Sequence, residues 1–219
     1  MSSSSIPGIS ISVINLEQRA DRRQAATEEM VKLGLGEDSF RFFSAKSEPG
    51  NGAMGCSLSH AMTLAQWLFD SVDEHCLVLE DDFSVRAPDA FWHLISDAIK
   101  VQAAWDVFLL ASNMAIPIEN TPIPNVFRIV NGLSTSAYLV SRRYAPKLIQ
   151  TFFESAELFR VYGNIGTLRD GRLQRRLFSL DSLWRPHQLK DRFWACLPQI
   201  CFQRASYSDV EKQNVSYGV

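Results

Sequence analysis

The chain has 219 residues, 46% of them apolar and 21% charged, with a formal net charge of −2 at pH 7. This is the composition of a soluble globular domain of ordinary size, and no run of 18 apolar residues reads as a membrane span. Charge is uneven: residues 141–204 hold 12 Lys/Arg against 5 Asp/Glu, and the remainder 10 against 19.

Residues 1–8 read as a flexible serine-rich leader, with no basic residue and no long apolar segment to make a signal peptide. The β-branched run I-S-I-S-V-I-N-L at 9–16 predicts the first strand. Helical spacing follows at 19–33, with Ala25, Ala26, Met30 and Leu33 on or near one face and Gly34 as the stop. A short strand is expected at 40–44. A helix is expected at 57–69, where Leu58, Met62, Ala65, Leu68 and Phe69 recur at helical spacing. Then come a strand at 77–79, a helix near 89–101 and a strand at 106–111. Pro117, Pro122 and Pro124 mark a loop. Residues 126–130 and 136–140 read as strands, 145–159 as a helix, and the pattern beyond is mixed. Alternation of this kind predicts one α/β domain over 9–219 with a largely parallel sheet.

The segment C-L-V-L-E-D-D-F at 76–83 empties a short apolar run into three consecutive carboxylates. Two readings stand: a solvated turn after a core strand, or oxygen ligands for a divalent cation. Ligands of open α/β sheets sit outside the carboxyl ends of strands. The basic third suggests anionic partners such as nucleotide phosphates, an anionic acceptor or a charged membrane surface, against a merely solvated face. Cys56, Cys76, Cys196 and Cys201 form no CxxC pair and no zinc spacing, so buried free thiols in a reducing cytoplasm are the simplest account. No G-x-S-x-G elbow or P-loop is present, and no RNA-recognition signature accompanies the basic third.

Five segments in order span almost the whole chain: V-I-N-L-E-Q-R-A-D-R-R at 13–23, G-C-S-L-S-H at 55–60, L-E-D-D-F at 79–83, S-T-S-A-Y-L-V-S at 134–141 and L-P-Q-I-C-F-Q at 197–203. Together they resemble glycosyltransferase family 25, the group of lipooligosaccharide galactosyltransferases and collagen hydroxylysine galactosyltransferases. The resemblance implies a single-domain α/β GT-A (Rossmann-like) fold. It also implies metal-dependent, inverting transfer of a hexose, galactose from UDP-galactose, to a lipooligosaccharide or other surface glycan. A cytoplasmic enzyme, peripheral at the inner face of an anionic membrane and without a nucleic-acid partner, is the matching expectation. The family usually carries a glutamate two residues before the G-C pair, where this chain has Ala53. That departure keeps open a non-catalytic nucleotide- or glycan-binding member acting as an assembly partner. A nucleotidyltransferase using the same acids is a third reading, which predicts release of pyrophosphate in place of UDP.

The expected roles follow residue by residue. Asp82 and Glu80 are the ligands for Mn²⁺ or Mg²⁺, with strand alternation aiming both to one side. Asp81 faces the ribose or a positioning arginine, or is a structural acid. Asn15 and the Leu16 backbone lie beside the base. Arg19 and Arg23 oppose the macrodipole at a helix start, which favours a phosphate role over pairing with Glu17 or Asp21. Ser57 caps the next helix. Ser59 and His60 sit in its first turn, with His60 on sugar hydroxyls or else satisfied in the core. Cys56 and His60 have metal-compatible spacing, but no second pair supports a soft-metal site. Asp181 matches an aspartate the family carries at a similar place and is the expected general base. It also reads as the N-cap of a helix starting at Ser182, and Asp191 and Asp106 are the alternatives. His187 is a candidate third metal ligand, and Trp184 and Trp194 are candidate sugar platforms. Arg172, Arg175 and Arg176 share a helical face toward an anionic acceptor or membrane.

Overall fold

A computed structural model describes residues 7–163, 171–204, 206–208 and 213–215. In chain order the elements are β1 (Ile9–Asn15), α1 (Ala20–Lys32), β2 (Arg41–Ser44), α2 (Gly52–Asp70), β3 (His75–Glu80), β4 (Phe83–Val85), α3 (Pro88–Lys100), β5 (Val107–Leu109), β6 (Ile116–Asn120), β7 (Val126–Val130), β8 (Ala137–Ser141) and α4 (Ala145–Tyr162). They continue with α5 (Gly171–Phe178), α6 (Leu180–Gln188), β9 (Phe193–Cys196), β10 (Cys201–Gln203), β11 (Ser206–Ser208) and β12 (Gln213–Val215). The eight-stranded sheet has the order β2-β1-β3-β8-β5-β9-β7-β6.

The sheet is mixed, which corrects the largely parallel expectation. β2, β1 and β3 pair in parallel, as do β5 and β9. β8 lies antiparallel between β3 and β5, and β7 pairs antiparallel with both β9 and β6. Parallel neighbours need a crossover of roughly a dozen residues or more, and only the loop 121–125 joins β6 to β7. Pro117, read as loop, lies in β6 at the sheet edge, where a missing N–H is tolerated.

Burial on both faces explains the continuous apolar runs. Successive strand residues point to opposite sides, so Leu77 and Leu79 join one core with Met30, Phe91, Trp105, Leu139 and Trp194. Cys76 and Val78 join a second with Leu64, Tyr138, Phe152, Trp184 and Phe193. Helices α1 and α3 cover the first face, and α2, α4 and α6 the second. α1 ends where Gly34 takes a φ of 76°, as the sequence predicts.

α2 begins at Gly52, not at Ser57. Asn51 is the cap, its side chain accepting from the Met54 N–H at 3.2 Å. Ser57 is instead buried inside the helix, its hydroxyl 2.7 Å from that of Ser155 on α4. None of the described helices is long and apolar enough to cross a membrane.

Candidate active site

A cleft of about 850 Å³ opens where β1 and β3 end and β8 begins. Its lining includes Leu16, Arg22, Cys56, His60, Glu80, Asp81, Asp82, Thr135, Asp181 and Gln203. All five sequence segments singled out above therefore supply residues to it, and Asp181 joins them.

The three acids divide by partner. β3 stops at Glu80, so alternation does not carry on into the turn at Asp81 and Asp82. Glu80 has the parity of Val78 and turns to the α2 side. There Thr135 Oγ1 donates to its Oε1 at 2.7 Å, and His60 Nε2 lies 3.3 Å from the same oxygen. Asp81 turns to the α1 side. Asn15 Nδ2 donates to its Oδ2 and Arg22 Nη1 to its Oδ1, both at 2.8 Å. The same Arg22 nitrogen stands 3.1 Å from Asp82 Oδ2, which also accepts from Gln203 Nε2 at 3.0 Å. Asp82 Oδ1 is buried without a hydrogen-bond partner.

Burial is the largest influence on all three. It pushes Asp82 up to about 7, with the neighbouring Glu80 charge adding to the shift. It holds Asp81 above the usual carboxylate range although Arg22 and Asn15 pull the other way. Glu80 ends below that range, because the contacts with His60 and Thr135 outweigh its burial.

Two loops shape the walls. Residues 45–50 pass over the start of α2, where a Cβ on Gly55 would stand 2.4 Å from the Lys46 carbonyl oxygen. Ser59 Oγ accepts from the Lys46 N–H at 2.8 Å and so ties that loop down. The opposite loop runs into β8. Gln188 clamps it by accepting from the Gly132 N–H and donating to the Gly132 carbonyl, both at 2.8 Å, and Trp184 Nε1 donates to the same carbonyl at 2.9 Å. Ser134 sits there at a φ of 84°, a left-handed conformation that a non-glycine residue keeps only when its surroundings hold it. Its N–H donates to Asp181 Oδ2 at 3.1 Å, while Ser179 Oγ donates to Asp181 Oδ1 at 2.6 Å.

Several expected residues fall elsewhere. Arg19 pairs with Asp21 at 2.8 Å, and the Arg23 guanidinium lies 3.9 Å above the Phe42 ring. Neither lines the cleft; Arg22 does. Its place was legible in helical spacing, since Ala26 and Met30 follow it at four-residue intervals and both are buried. Ser59 lines the cleft but spends its hydroxyl on Lys46 and Gly55. His187 bonds Thr151 at 2.9 Å, away from the cleft lining, so it is no third ligand for a metal there. Trp184 and Trp194 belong to the two cores and do not line the cleft. Asp191 is held by Tyr144 and Lys147, and Asp106 by Arg143 and Arg192. Of the three candidate bases only Asp181 lines the cleft. It lies in the first turn of α6, which begins at Leu180, so it is not the N-cap of a helix starting at Ser182. Ser134 and Thr135 open the 134–141 segment, but no local signal marks the contacts they make, and none points to Gln188. Arg176 lies at the cleft, whereas the side chains of Arg172 and Arg175 are outside the described residues.

No protein-family model and no curated protein matches the chain. Among solved structures it is similar to A197 from STIV, with 10% identity, coverage of 94% of this chain and 92% of that one, and a TM-score of 0.49. A glycosyltransferase involved in glycosylation of the major capsid of PBCV-1 gives 10% identity, 94% and 98% coverage, and 0.49. A UDP-glucose pyrophosphorylase complexed with UDP-glucose gives 12%, 86% and 90%, and 0.47.

Proposed function

We propose that this chain is a metal-dependent, inverting glycosyltransferase of the family 25 type, moving galactose from UDP-galactose to a lipooligosaccharide or another surface glycan. The observation that supports the reading is the convergence of the five motif segments and Asp181 on one cleft at strand ends. The donor set suits a hard cation, since three carboxylates line the cleft and one buried Asp82 oxygen has no hydrogen-bond partner. Glu80 and Asp82 would hold Mn²⁺ or Mg²⁺, which neutralises charge building on a diphosphate leaving group.

The chain's own groups supply the rest. Asp81, fixed by Asn15 and Arg22, faces the ribose. Leu16 walls the base side. Lys46 and Arg176 line the cleft as cations for the anionic donor or acceptor. Asp181 takes the proton of the acceptor hydroxyl as that oxygen bonds to the anomeric carbon and the bond to UDP breaks on the opposite face. Its carboxylate stays oriented because two donors hold it, one on each oxygen.

Ala53 lines the cleft where the resembled family carries a glutamate, which keeps a non-catalytic binding member as the second reading. A panel of UDP-sugars tests both, with free UDP and pyrophosphate measured separately, with Mn²⁺ and with EDTA. Manganese-dependent UDP release, highest with UDP-galactose, is the expected result. Donor binding without turnover would favour the binding member, and pyrophosphate release would favour a nucleotidyltransferase.

A further inference from the structure

The cleft floor holds a group of ligands of which the sugar-transfer reading uses only Glu80. Cys56 and His60 are successive turns of α2, and β3 brings Glu80 to them. One ligand atom from each lies within 4.8 Å of the others, and they are the only such group of three or more His, Cys, Asp or Glu among the described residues.

His60 makes this more than a chance cluster. The side chain is fully buried, yet Nε2 makes no hydrogen bond. Its 3.3 Å approach to Glu80 Oε1 lacks hydrogen-bond geometry. Nitrogen and oxygen ligands at about 2.0–2.1 Å from a tetrahedral zinc stand about 3.3–3.4 Å apart, so the separation fits a coordination edge. On the far side of the ring, His60 Nδ1 lies 3.1 Å from Tyr138 Oη. When a cation binds, Nδ1–H donates to that oxygen and leaves the Nε2 lone pair to the cation. Thr135 meanwhile donates to Glu80. Both ligands thus have the outer partners that orient metal-binding side chains.

We propose that Cys56 Sγ, His60 Nε2 and a Glu80 carboxylate oxygen form a binding site for a zinc-class cation, with a fourth position open to the cleft. The mixed sulfur, nitrogen and oxygen set suits Zn²⁺ or Co²⁺ better than Mn²⁺ or Mg²⁺. Three protein ligands with one open position are the pattern of a site that meets water or a substrate oxygen. The site shares Glu80 with the hard-cation station, but Asp82 takes no part in it.

Cobalt titration of the EDTA-dialysed full chain tests this without any sugar donor, so the outcome is independent of the transferase reading. One equivalent of Co²⁺ should give tetrahedral visible bands and a thiolate-to-cobalt band in the near ultraviolet. Cys56→Ser should lose the thiolate band. Tyr138→Phe should keep it while weakening Zn²⁺ affinity by roughly 10–100-fold, the usual effect of removing an outer partner. Asp82→Asn should leave the spectrum unchanged. Should Cys56→Ser fail to fold, alkylation of the wild-type chain mapped by mass spectrometry replaces it, and Zn²⁺ should protect Cys56. A wild-type chain without the thiolate band, a band that survives Cys56→Ser, a band lost with Asp82→Asn, or Cys56 unprotected by Zn²⁺ each overturns the site.

Discussion

The Ser134 backbone N–H donates to Asp181 Oδ2 at 3.1 Å, joining residues 47 apart in sequence across the mouth of the cleft. This bond fixes a carboxylate of α6 against the loop that leads into β8, whose next residue, Thr135, holds Glu80. The two acids are therefore positioned by adjacent residues of one loop.

Asp181→Asn keeps size and an acceptor for the Ser134 N–H but cannot take a proton. Transfer should fall by roughly 10²-fold or more, the scale of general-base catalysis, with UDP affinity and melting temperature nearly unchanged. Calorimetry and a transfer assay on the one variant check this. Normal transfer would remove Asp181 from the base role.

Asp82 gives a pH signature. Its folded pKa of about 7 lies above its ordinary value of 3.8, so folding takes up a proton between those limits. Its stabilising contribution is complete below about pH 4 and is lost as the pH rises to about 7, by on the order of 2–4 kcal/mol. In metal-free buffer, Asp82→Asn should therefore gain stability relative to wild type from pH 4 to pH 7. Urea midpoints across that range measure the slope. Glu80, shifted the opposite way, loses its contribution only at more acidic pH.

Arg22→Met tests the counter-charge. Removing one partner from a buried ion pair costs about 3–5 kcal/mol, and Asp81 and Asp82 both rely on this guanidinium. The loss should shrink as the pH falls toward 5, because protonation relieves the unpaired acids. A loss that stays constant with pH would point to packing in place of charge.

Gly55→Ala adds a methyl group 2.4 Å from the Lys46 carbonyl oxygen, a backbone atom that cannot swing aside. Overpacking of this kind costs about 1–3 kcal/mol. The displaced 45–50 loop should also weaken UDP binding, read by calorimetry beside the melting curve. An unchanged affinity would show that this wall does not contact the donor.

The basic segment is tested with anionic vesicles. Replacing Arg172, Arg175 and Arg176 together by alanine should reduce sedimentation with them, and wild-type binding should weaken as salt screens the charges. Equal binding by the variant would remove the membrane role from this segment.

Much of the fold was legible because its signals are local. The β-branched run of β1, the helical spacing and glycine stop of α1, and the apolar run of β3 each report burial of a face within one element. The clustering of Glu80, Asp81 and Asp82 at a strand end was legible for the same reason. Which acid faces which partner was not. Parity sends Glu80 toward α2, but the chain turns after Glu80, so alternation decides neither Asp81 nor Asp82. The withdrawal of His187, Asp106, Asp191, Trp184 and Trp194 into other contacts and the meeting of Cys56, His60 and Glu80 depend on pairings between distant segments. The sequence by itself determined the alternation of strands and helices and the set of chemically capable residues, because period and residue type are properties of short stretches. Only the tertiary structure decided which of them share a cleft, because strand order, the insertion of antiparallel β8 and the clamp of Gln188 on Gly132 are long-range contacts that no local pattern encodes.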